Sequence, residues 1–359
     1  MLNEQVFFAF GVFMEGDKLV TKKVLKEVWI EDSNLFFQDF SPVGKYSFLF
    51  ERFIFRGERT EKFHKLLPTS LREDKNSVEK LYGFAQLGGM DMTHPQYNFE
   101  SFYQTAELNI LMNFYKAANY KGLNLPDISF FRSHSLEMFL SIDILRFEIG
   151  DIWLPNQFLE LAALAQHYGL PTRLIDWSKD LYTSLYFACS GAIHSNDDSK
   201  YMVLYALDYF TIEFLKKTTN RIPLRLIVPE HYKNPNLNFQ KGILSAWEYK
   251  TCYIQDLIQL NQVHGRQPQE LLFPLVNNQS LDALIQEHVD KNAISWGGVG
   301  VKEQEPLIYK FYIPISMSYR IYDYLLKIGY GADRLFTGFE GISQMLKDNM
   351  AYYKKLNRI

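Results

Sequence analysis

The segment from residue 161 to residue 189 constrains the fold more than any other part of the sequence. It reads LAALAQHYGLPTRLIDWSKDLYTSLYFAC, in which a glycine and a proline stand between two apolar runs of helical period. Gly169 is typical of the residue that follows a helix, and Pro171 prevents that helix from continuing. The residues RLIDW are too short and too extended for a helix, and the helical period resumes at Leu181. The sequence therefore predicts two helices joined by a polar connector over 173–178.

Other segments predict strands as well as helices. Residues 46–59, YSFLFERFIFRGER, are typical of a strand, with Phe53 and Phe55 on one face. Ile54 and Arg56 would take the other face. Further predicted elements are helices over 103–118 and 154–169, strands over 201–209 and 307–315, and a helix over 319–330 with Ser316 as its N-cap. Interleaved strands and helices favour a mixed α+β or α/β architecture over an all-helical one.

The composition excludes several classes of protein. The 359 residues carry a formal net charge of -3, so no global basic field favours non-specific binding to nucleic acid. Two cysteines are too few for a disulfide framework or a cysteine-based zinc site. The N-terminus lacks the features of a signal peptide, and no apolar run approaches the roughly 20 residues of a membrane span. We therefore expect a cytoplasmic globular protein that does not associate with membranes.

Several common enzyme motifs are missing from the sequence. It contains no Walker phosphate loop, no dinucleotide glycine fingerprint, no paired-histidine zinc motif and no glycine-flanked serine elbow. We therefore expect no bound metal. It also has no internal repeat and no Gly/Ser linker. The simplest organisation is one decorated domain, in which residues 1–45 form an accessory N-terminal layer.

Three polar stretches are candidates for chemistry. Arg56 ends an aromatic strand, where its guanidinium would emerge at the sheet edge and bind a phosphate through two hydrogen bonds; the alternative is a surface ion pair. The second stretch is the connector after the first helix of the 161–189 segment. It brings together a base, two rings, a cation and an acid, namely His167, Tyr168, Arg173, Asp176 and Trp177. The alternatives are a His167 that only caps its helix and a buried Arg173–Asp176 ion pair that only fixes the turn.

A third stretch, residues 234–248, reads NPNLNFQKGILSAWE. Asn236, Gln240 and Gly242 bring amide groups and a flexible backbone near Trp247 and Glu248. The alternative is an ordinary turn that begins at Asn-Pro.

Together these residues resemble the FRG domain family, named for the tripeptide formed here by Phe55, Arg56 and Gly57. The resemblance continues through LLPTSLR, AQHYGLPTRLIDWS, LYFAC, NPNLNFQKGIL, KFYIPI and LFTGFEG. It spans residues 46–347 and leaves 348–359 as a tail. The FRG domain looks like a divergent relative of the mono-ADP-ribosyltransferases. This resemblance implies an α+β fold, with a mixed central sheet, flanking helices and an ADP-ribosyltransferase-like core behind the accessory layer.

The resemblance also implies roles for individual residues in binding NAD. Arg56 would hold a phosphate or ribose of NAD, and His167 and Tyr168 would bind a ribose hydroxyl and stack on a ring. Ser178 would support the nicotinamide pocket. The full set of implied NAD-binding residues is Arg56, Gly57, His167, Tyr168, Arg173, Trp177, Ser178, Asn236 and Gln240.

The sequence departs from the transferase pattern at its catalytic acid. The resemblance places a glutamate two residues after Gln240, but this chain has Gly242 there. The acid must then come from Asp176, Glu248 or Glu340, unless the chemistry differs. Arg56 and His167 complete the predicted catalytic set. A carboxylate near the ribose would stabilise the oxocarbenium-like state formed when the nicotinamide bond breaks.

The function implied is an NAD-dependent ADP-ribosyltransferase that acts as an intracellular toxin or phage-defence effector. Its acceptor would be RNA, DNA or a protein, and a neutralising antitoxin would dock on residues 1–45 or on the tail. Two alternatives remain open: a module that senses NAD or a nucleotide without turnover, and a protein-interaction domain in which the polar turn is only structural.

Overall fold

Strands and helices are interleaved along the described chain. The computed structural model describes residues 23–31, 34–63, 65–72, 75–87, 95–229, 239–263, 273–294, 296 and 305–356. The strands are β1 (Leu25–Trp29), β2 (Phe53–Glu58), β3 (Ile152–Trp153), β4 (Ile175–Ser178), β5 (Tyr201–Asp208), β6 (Leu224–Ile227), β7 (Gly242–Trp247), β8 (Tyr249–Lys250) and β9 (Ile308–Pro314). The helices are α1 (Phe36–Asp39), α2 (Leu49–Arg52), α3 (Lys75–Phe84), α4 (Glu100–Tyr120), α5 (Ser129–Ser133), α6 (Arg146–Ile149), α7 (Leu159–His167), α8 (Leu181–His194), α9 (Tyr209–Leu215), α10 (Ile254–Val263), α11 (Leu281–Lys291), α12 (Ser318–Lys327), α13 (Ala332–Leu335) and α14 (Gly338–Leu356).

Seven of these strands form one mixed sheet in the order β1-β9-β5-β2-β4-β7-β6. β1 runs parallel to β9, and the other neighbours in this sheet are antiparallel. The short strands β3 and β8 form a separate antiparallel pair. The predicted α+β class with a mixed central sheet is therefore confirmed.

The period-two pattern of β2 distributes its side chains between two cores. Phe53 and Phe55 pack with Leu185 of α8 and Ile321 of α12 on one side of the sheet. Ile54 packs on the other side, in a cluster that includes residues of β5 and α11. A third core lies among α4, α5 and α7, and β7 contributes Leu244 and Ala246 to it. The central strands of the sheet are therefore covered on both faces, whereas side chains of the edge strand β1 remain exposed.

The predicted boundaries differ from the structure at four places. Residues 49–52, predicted as the start of a strand, form the single helical turn α2. The connector over 173–178 contains the strand β4, and Ser316 lies within a 3-10 turn that precedes α12. β1 lies inside the predicted accessory layer but forms an edge strand of the central sheet, while residues 1–22 lie outside the described residues. Short apolar runs do not distinguish one helical turn from a strand, and pairing with a distant strand leaves no local signal.

Among the described residues, no helix combines the length and the apolar character needed to cross a bilayer.

Candidate functional site

The central sheet is interrupted between β2 and β4. The two strands pair only at Phe55 opposite Ser178, whereas β2 pairs with β5 along its whole length. A cleft of about 480 Å³ opens there, which lies within the usual size range of small-ligand sites. Its lining comes from both halves of the sheet, from the helices α7, α8 and α14 and from the segments next to them: Phe55, Arg56, Gly57, Ala163, His167, Tyr168, Asp176, Trp177, Ser178, Ser184, Phe187, Gln240, Gly242, Ile243, Leu244, Phe336 and Glu340.

Gly57 allows α8 to pack directly on β2. A β-carbon at this position would lie 1.9 Å from the carbonyl oxygen of Ser184, far inside van der Waals contact. A side chain here would therefore push α8 away from the strand, and with it Ser184 and Phe187, which line the cleft. This close packing accounts for the glycine without reference to a ligand.

Arg56 lies on the cleft and is held by two carboxylates. Its Nε donates to Glu58 Oε1 at 2.7 Å, and its Nη1 donates to the backbone oxygen of Asp176 at 3.1 Å. The same Nη1 lies 3.7 Å from Asp176 Oδ2. Burial by itself would lower the pKa of Arg56, but the negative charges of Glu58 and Asp176 have the larger effect and raise this pKa above its ordinary value. The guanidinium is therefore a fixed cation that bridges β2 to β4 beside the cleft.

The C-terminal end of α7 places two rings at the cleft. α7 ends at His167, and Tyr168 follows as its C-cap residue. Gly169 has a φ of 85°, in agreement with its predicted place just after the helix. Burial lowers the pKa of His167, although the carboxylates of Glu340 and Asp176 oppose this effect. His167 is therefore mainly neutral at pH 7 and can accept or donate a hydrogen bond. Tyr168 is 69 % exposed, and its ring lies next to those of His167 and Phe114.

Asp176 is positioned by a short chain of side chains. Gln166 Nε2 donates to Asp176 Oδ1 at 2.6 Å, and Thr172 donates to the side-chain oxygen of Gln166. The carboxylate itself is 61 % exposed. Asp176 therefore presents a negative charge to the cleft in a fixed orientation, next to Arg56. Gln166 was not predicted as a site residue, because a glutamine in the last turn of a helix has no distinctive local pattern.

The third predicted stretch contributes Gln240 and Gly242 to the site. Ser178 donates to the backbone oxygen of Gln240 at 2.6 Å, and Gln240 Nε2 donates to the backbone oxygen of Leu335 at 3.1 Å. Gly242 pairs with Ser178 across β4 and β7. The position at which the resemblance implies a glutamate therefore does lie on the cleft, but without a side chain. Asn236 lies outside the described residues.

Glu340 enters the cleft from the first turn of α14. It lies on the side that carries His167, whose titration it influences. Phe187 and Phe336 contribute aromatic walls, with their ring centroids 6.1 Å apart. These two rings lie within the LYFAC and LFTGFEG motifs but were not predicted as site residues, since aromatic residues are common in this sequence.

Arg173 lies away from the cleft, in contrast to its predicted role in binding NAD. Its Nη1 is 2.6 Å from Glu100 Oε1 and its Nε is 2.7 Å from Glu107 Oε2, and the side chains of all three residues are buried. Trp153 Nε1 also donates to Glu107. The proposed Arg173–Asp176 pair does not form, because the two side chains contact different partners. Because the two residues are three positions apart on an extended chain, their side chains lie on opposite faces of it.

Two more predicted residues lie apart from the polar groups of the cleft. Glu248 follows the end of β7, where it forms an ion pair with Arg221, and it does not line the cleft. Its predicted catalytic role therefore has no geometric support. Trp177 lines the cleft, but it is 3 % exposed and its Nε1 donates to Ser245 Oγ at 2.8 Å. Trp177 thus mainly forms part of the core.

The interrupted sheet, the FRG tripeptide and the element after α7 together form one site. The FRG domain family model matches residues 51–197. The FRG match begins in α2 and ends just after α8, so it contains Arg56, Gly57, His167 and Asp176. It is shorter than the predicted range of 46–347, and Gln240 and Glu340 lie beyond it. No curated protein and no solved structure matches the chain.

Proposed function

We propose that this protein transfers ADP-ribose from NAD to a macromolecule and binds NAD in the cleft between β2 and β4. One observation carries the proposal: Arg56, His167 and the carboxylates of Asp176 and Glu340 converge where the sheet is interrupted. In this proposal the sheet and its helices form an ADP-ribosyltransferase-like core.

The residues of the cleft match the chemical parts of NAD. The Arg56 guanidinium suits the negatively charged pyrophosphate, because its planar fork can donate two hydrogen bonds to phosphate oxygens. Tyr168, Phe187 and Phe336 supply ring faces for a heterocycle. Neutral His167 suits a ribose hydroxyl, which both donates and accepts hydrogen bonds.

The reaction needs a carboxylate near the ribose. The bond between C1′ and the nicotinamide nitrogen breaks, and its electron pair leaves with nicotinamide, which departs as a neutral molecule without protonation. The positive charge that develops on the ribose is stabilised by a nearby negative charge. An acceptor nucleophile then bonds to C1′ and releases its proton to a carboxylate or to water. Asp176 and Glu340 are the carboxylates that line the cleft.

Of the two carboxylates, Glu340 is the better candidate for this role. Asp176 already accepts a hydrogen bond from Gln166 and lies beside the Arg56 cation, which offsets its charge. We therefore expect Glu340→Gln to reduce the rate of nicotinamide release with little effect on NAD affinity. Asp176→Asn should instead weaken NAD binding, since Asp176 helps to orient Arg56. The opposite pattern would assign the catalytic charge to Asp176.

The test is an incubation of the purified protein with radiolabelled NAD and, separately, with total RNA, DNA and protein from cells. Label transfer and free nicotinamide are measured together, with folded Arg56→Ala and His167→Ala variants as controls. Label that enters one pool and is lost in both variants supports the proposal and identifies the class of acceptor. Neither label transfer nor nicotinamide release, at saturating NAD, would contradict it.

A second candidate is a module that binds NAD or another nucleotide without turnover. Gly242 favours it, because the position implied for the catalytic glutamate has no carboxylate. Equilibrium binding of NAD that depends on Arg56, together with no nicotinamide release, would identify this function.

We further propose that turnover arrests growth, as expected of an intracellular toxin or phage-defence effector. Modification of a shared macromolecule would stop the processes that depend on it. Induced expression of the wild type should halt growth, whereas folded Arg56→Ala should not. Equal growth with both proteins would count against a toxin.

A further inference from the structure

The C-terminal helix α14 has two faces of different character. Its inner face is anchored through Asp348, which is 1 % exposed and contacts His194 Nε2 and Gln344 Nε2, each at 2.7 Å, as well as the hydroxyl of Tyr186. Lys355 donates to backbone oxygens at the end of α8. These contacts hold the helix in one orientation, so its outer face is a preformed surface.

The outer face carries an apolar stripe along most of the helix. Its members are Phe339, Ile342, Leu346, Met350 and Tyr353, which are 48 to 91 % exposed. Their spacing of three and four residues places them on one side of the helix. Scattered exposed apolar residues are ordinary, but a continuous stripe of this kind marks an interaction surface. We call this set the α14 stripe.

Two exposed lysines of α14 lie beside the α14 stripe. Lys347 and Lys354 are exposed on the outer face of the helix. Of the two acidic residues of α14, Asp348 is buried, and Glu340 lies at the N-terminal end of the helix, where it lines the cleft. An apolar surface flanked by two lysines is complementary to an apolar surface flanked by carboxylates.

The dimensions of the stripe favour a small occupant. From residue 339 to residue 353 it runs for about 21 Å, and one helix is roughly 10 Å wide. That footprint is far below the roughly 800 Å² per partner of a stable interface between two globular copies. It matches a single amphipathic helix, which binds through apolar residues at intervals of three and four.

We propose that the α14 stripe binds an acidic amphipathic helix of another protein. Phe339 precedes Glu340, which lines the cleft, so a helix bound along the stripe ends at the rim of the cleft. Binding therefore places a partner where it can limit access to the site. This inference does not depend on the proposed transferase activity.

The test uses the full chain and a synthetic probe. The probe is a fluorescein-labelled peptide of about six helical turns, with leucine at intervals of three and four and glutamate beside them; the matched probe has lysine in place of glutamate. Fluorescence anisotropy at low salt should show tighter binding of the glutamate probe by about three- to tenfold, the size expected for two exposed ion pairs. The difference should shrink as salt is added.

Variants of the chain locate the binding. Leu346→Ser should weaken binding of the glutamate probe about tenfold, as expected for a central apolar contact. The double variant Lys347→Glu and Lys354→Glu should prefer the lysine probe. Phe147→Ser is the control, because Phe147 is also an exposed apolar residue, at 98 % against 60 % for Leu346, but lies on α6. Thermal unfolding confirms that each variant is folded.

Four outcomes would overturn the proposal. Equal affinity for both probes would exclude charge recognition, and binding insensitive to Leu346→Ser would place the peptide elsewhere. A dimer in sedimentation experiments that Leu346→Ser abolishes would assign the stripe to a second copy of the chain. Flotation with phosphatidylserine vesicles that Leu346→Ser abolishes would assign it to a lipid surface.

Discussion

Two arginines of the FRG-matched region, Arg56 and Arg173, both contact two carboxylates but differ in what surrounds them. The side chain of Arg173 is 3 % exposed, and those of its partners Glu100 and Glu107 are 7 % and 5 % exposed. Arg56 is 15 % exposed, and its partner Asp176 is mostly open to the cleft. The first cluster is closed to ligands, whereas the second has a charged group and an open space next to each other.

Burial separates two uses of the same residue type in these two arginines. A buried ion pair is inaccessible to ligands. It also makes the stability of the fold depend on both partners, because removing one of them leaves the other as an unpaired buried charge. A half-open pair can exchange one protein partner for a ligand. Both arginines are conspicuous in the sequence, so residue type alone does not distinguish them.

The largest effect on stability is expected at the sealed cluster. Arg173→Leu leaves two buried carboxylates without their cation and should lower the free energy of unfolding by about 3–5 kcal/mol. Denaturant unfolding measures the loss. Arg173→Lys, which keeps the charge, should lose less. Wild-type stability in Arg173→Leu would show that the cluster is open to solvent and would remove the contrast with Arg56.

The next effect is expected at the contact between β2 and α8. Gly57→Ala introduces a methyl group that would lie 1.9 Å from the Ser184 backbone oxygen, and overpacking of this kind costs about 1–3 kcal/mol. Denaturant unfolding again measures it, with Gly83→Ala as the control because nothing lies within 4 Å of a β-carbon there. Equal stability of the two variants would contradict the close packing of α8.

Substitution of Arg56, whose ion pair with Asp176 is partly open to the cleft, should mainly affect ligand binding. Arg56→Ala should weaken NAD binding about ten- to a hundredfold, since hydrogen bonds to charged groups contribute about 1.5–3 kcal/mol. The loss of unfolding free energy should be smaller than for Arg173→Leu. Calorimetric titration with NAD provides the measurement. Arg56→Lys should recover only part of the affinity, because an ammonium group lacks the planar fork. Unchanged affinity in Arg56→Ala would place the ligand elsewhere.

The smallest effect is the pH dependence contributed by His167. Its folded pKa lies below the ordinary value of 6.5, so between these two values the unfolded chain binds more protons. The free energy of unfolding therefore falls as the pH decreases through this window, and the contribution is constant below the folded pKa. Unfolding curves at several pH values should show a weaker decrease in His167→Gln than in the wild type. An equal decrease in both proteins would indicate that folding does not change the pKa of His167.

Local patterns predicted much of the fold, and they succeeded where periodicity and breakers act within a few residues. The helix that ends at His167 followed from the apolar spacing with Gly169 and Pro171, and the two faces of β2 followed from alternation. The helical turn at 49–52 and the pairing of β1 with β9 were not predictable in this way. Both depend on packing against residues distant in the sequence.

The sequence by itself determined which residues are available for chemistry: a polar turn between two helices, an arginine at the end of an aromatic strand and a glycine after it. Only the tertiary structure decided their partners. It brought Arg56, His167, Asp176 and Glu340 to one interruption of the sheet and buried Arg173 with Glu100 and Glu107. The physical reason is that charge and residue type are local properties, whereas burial and proximity arise from contacts between segments far apart in the chain.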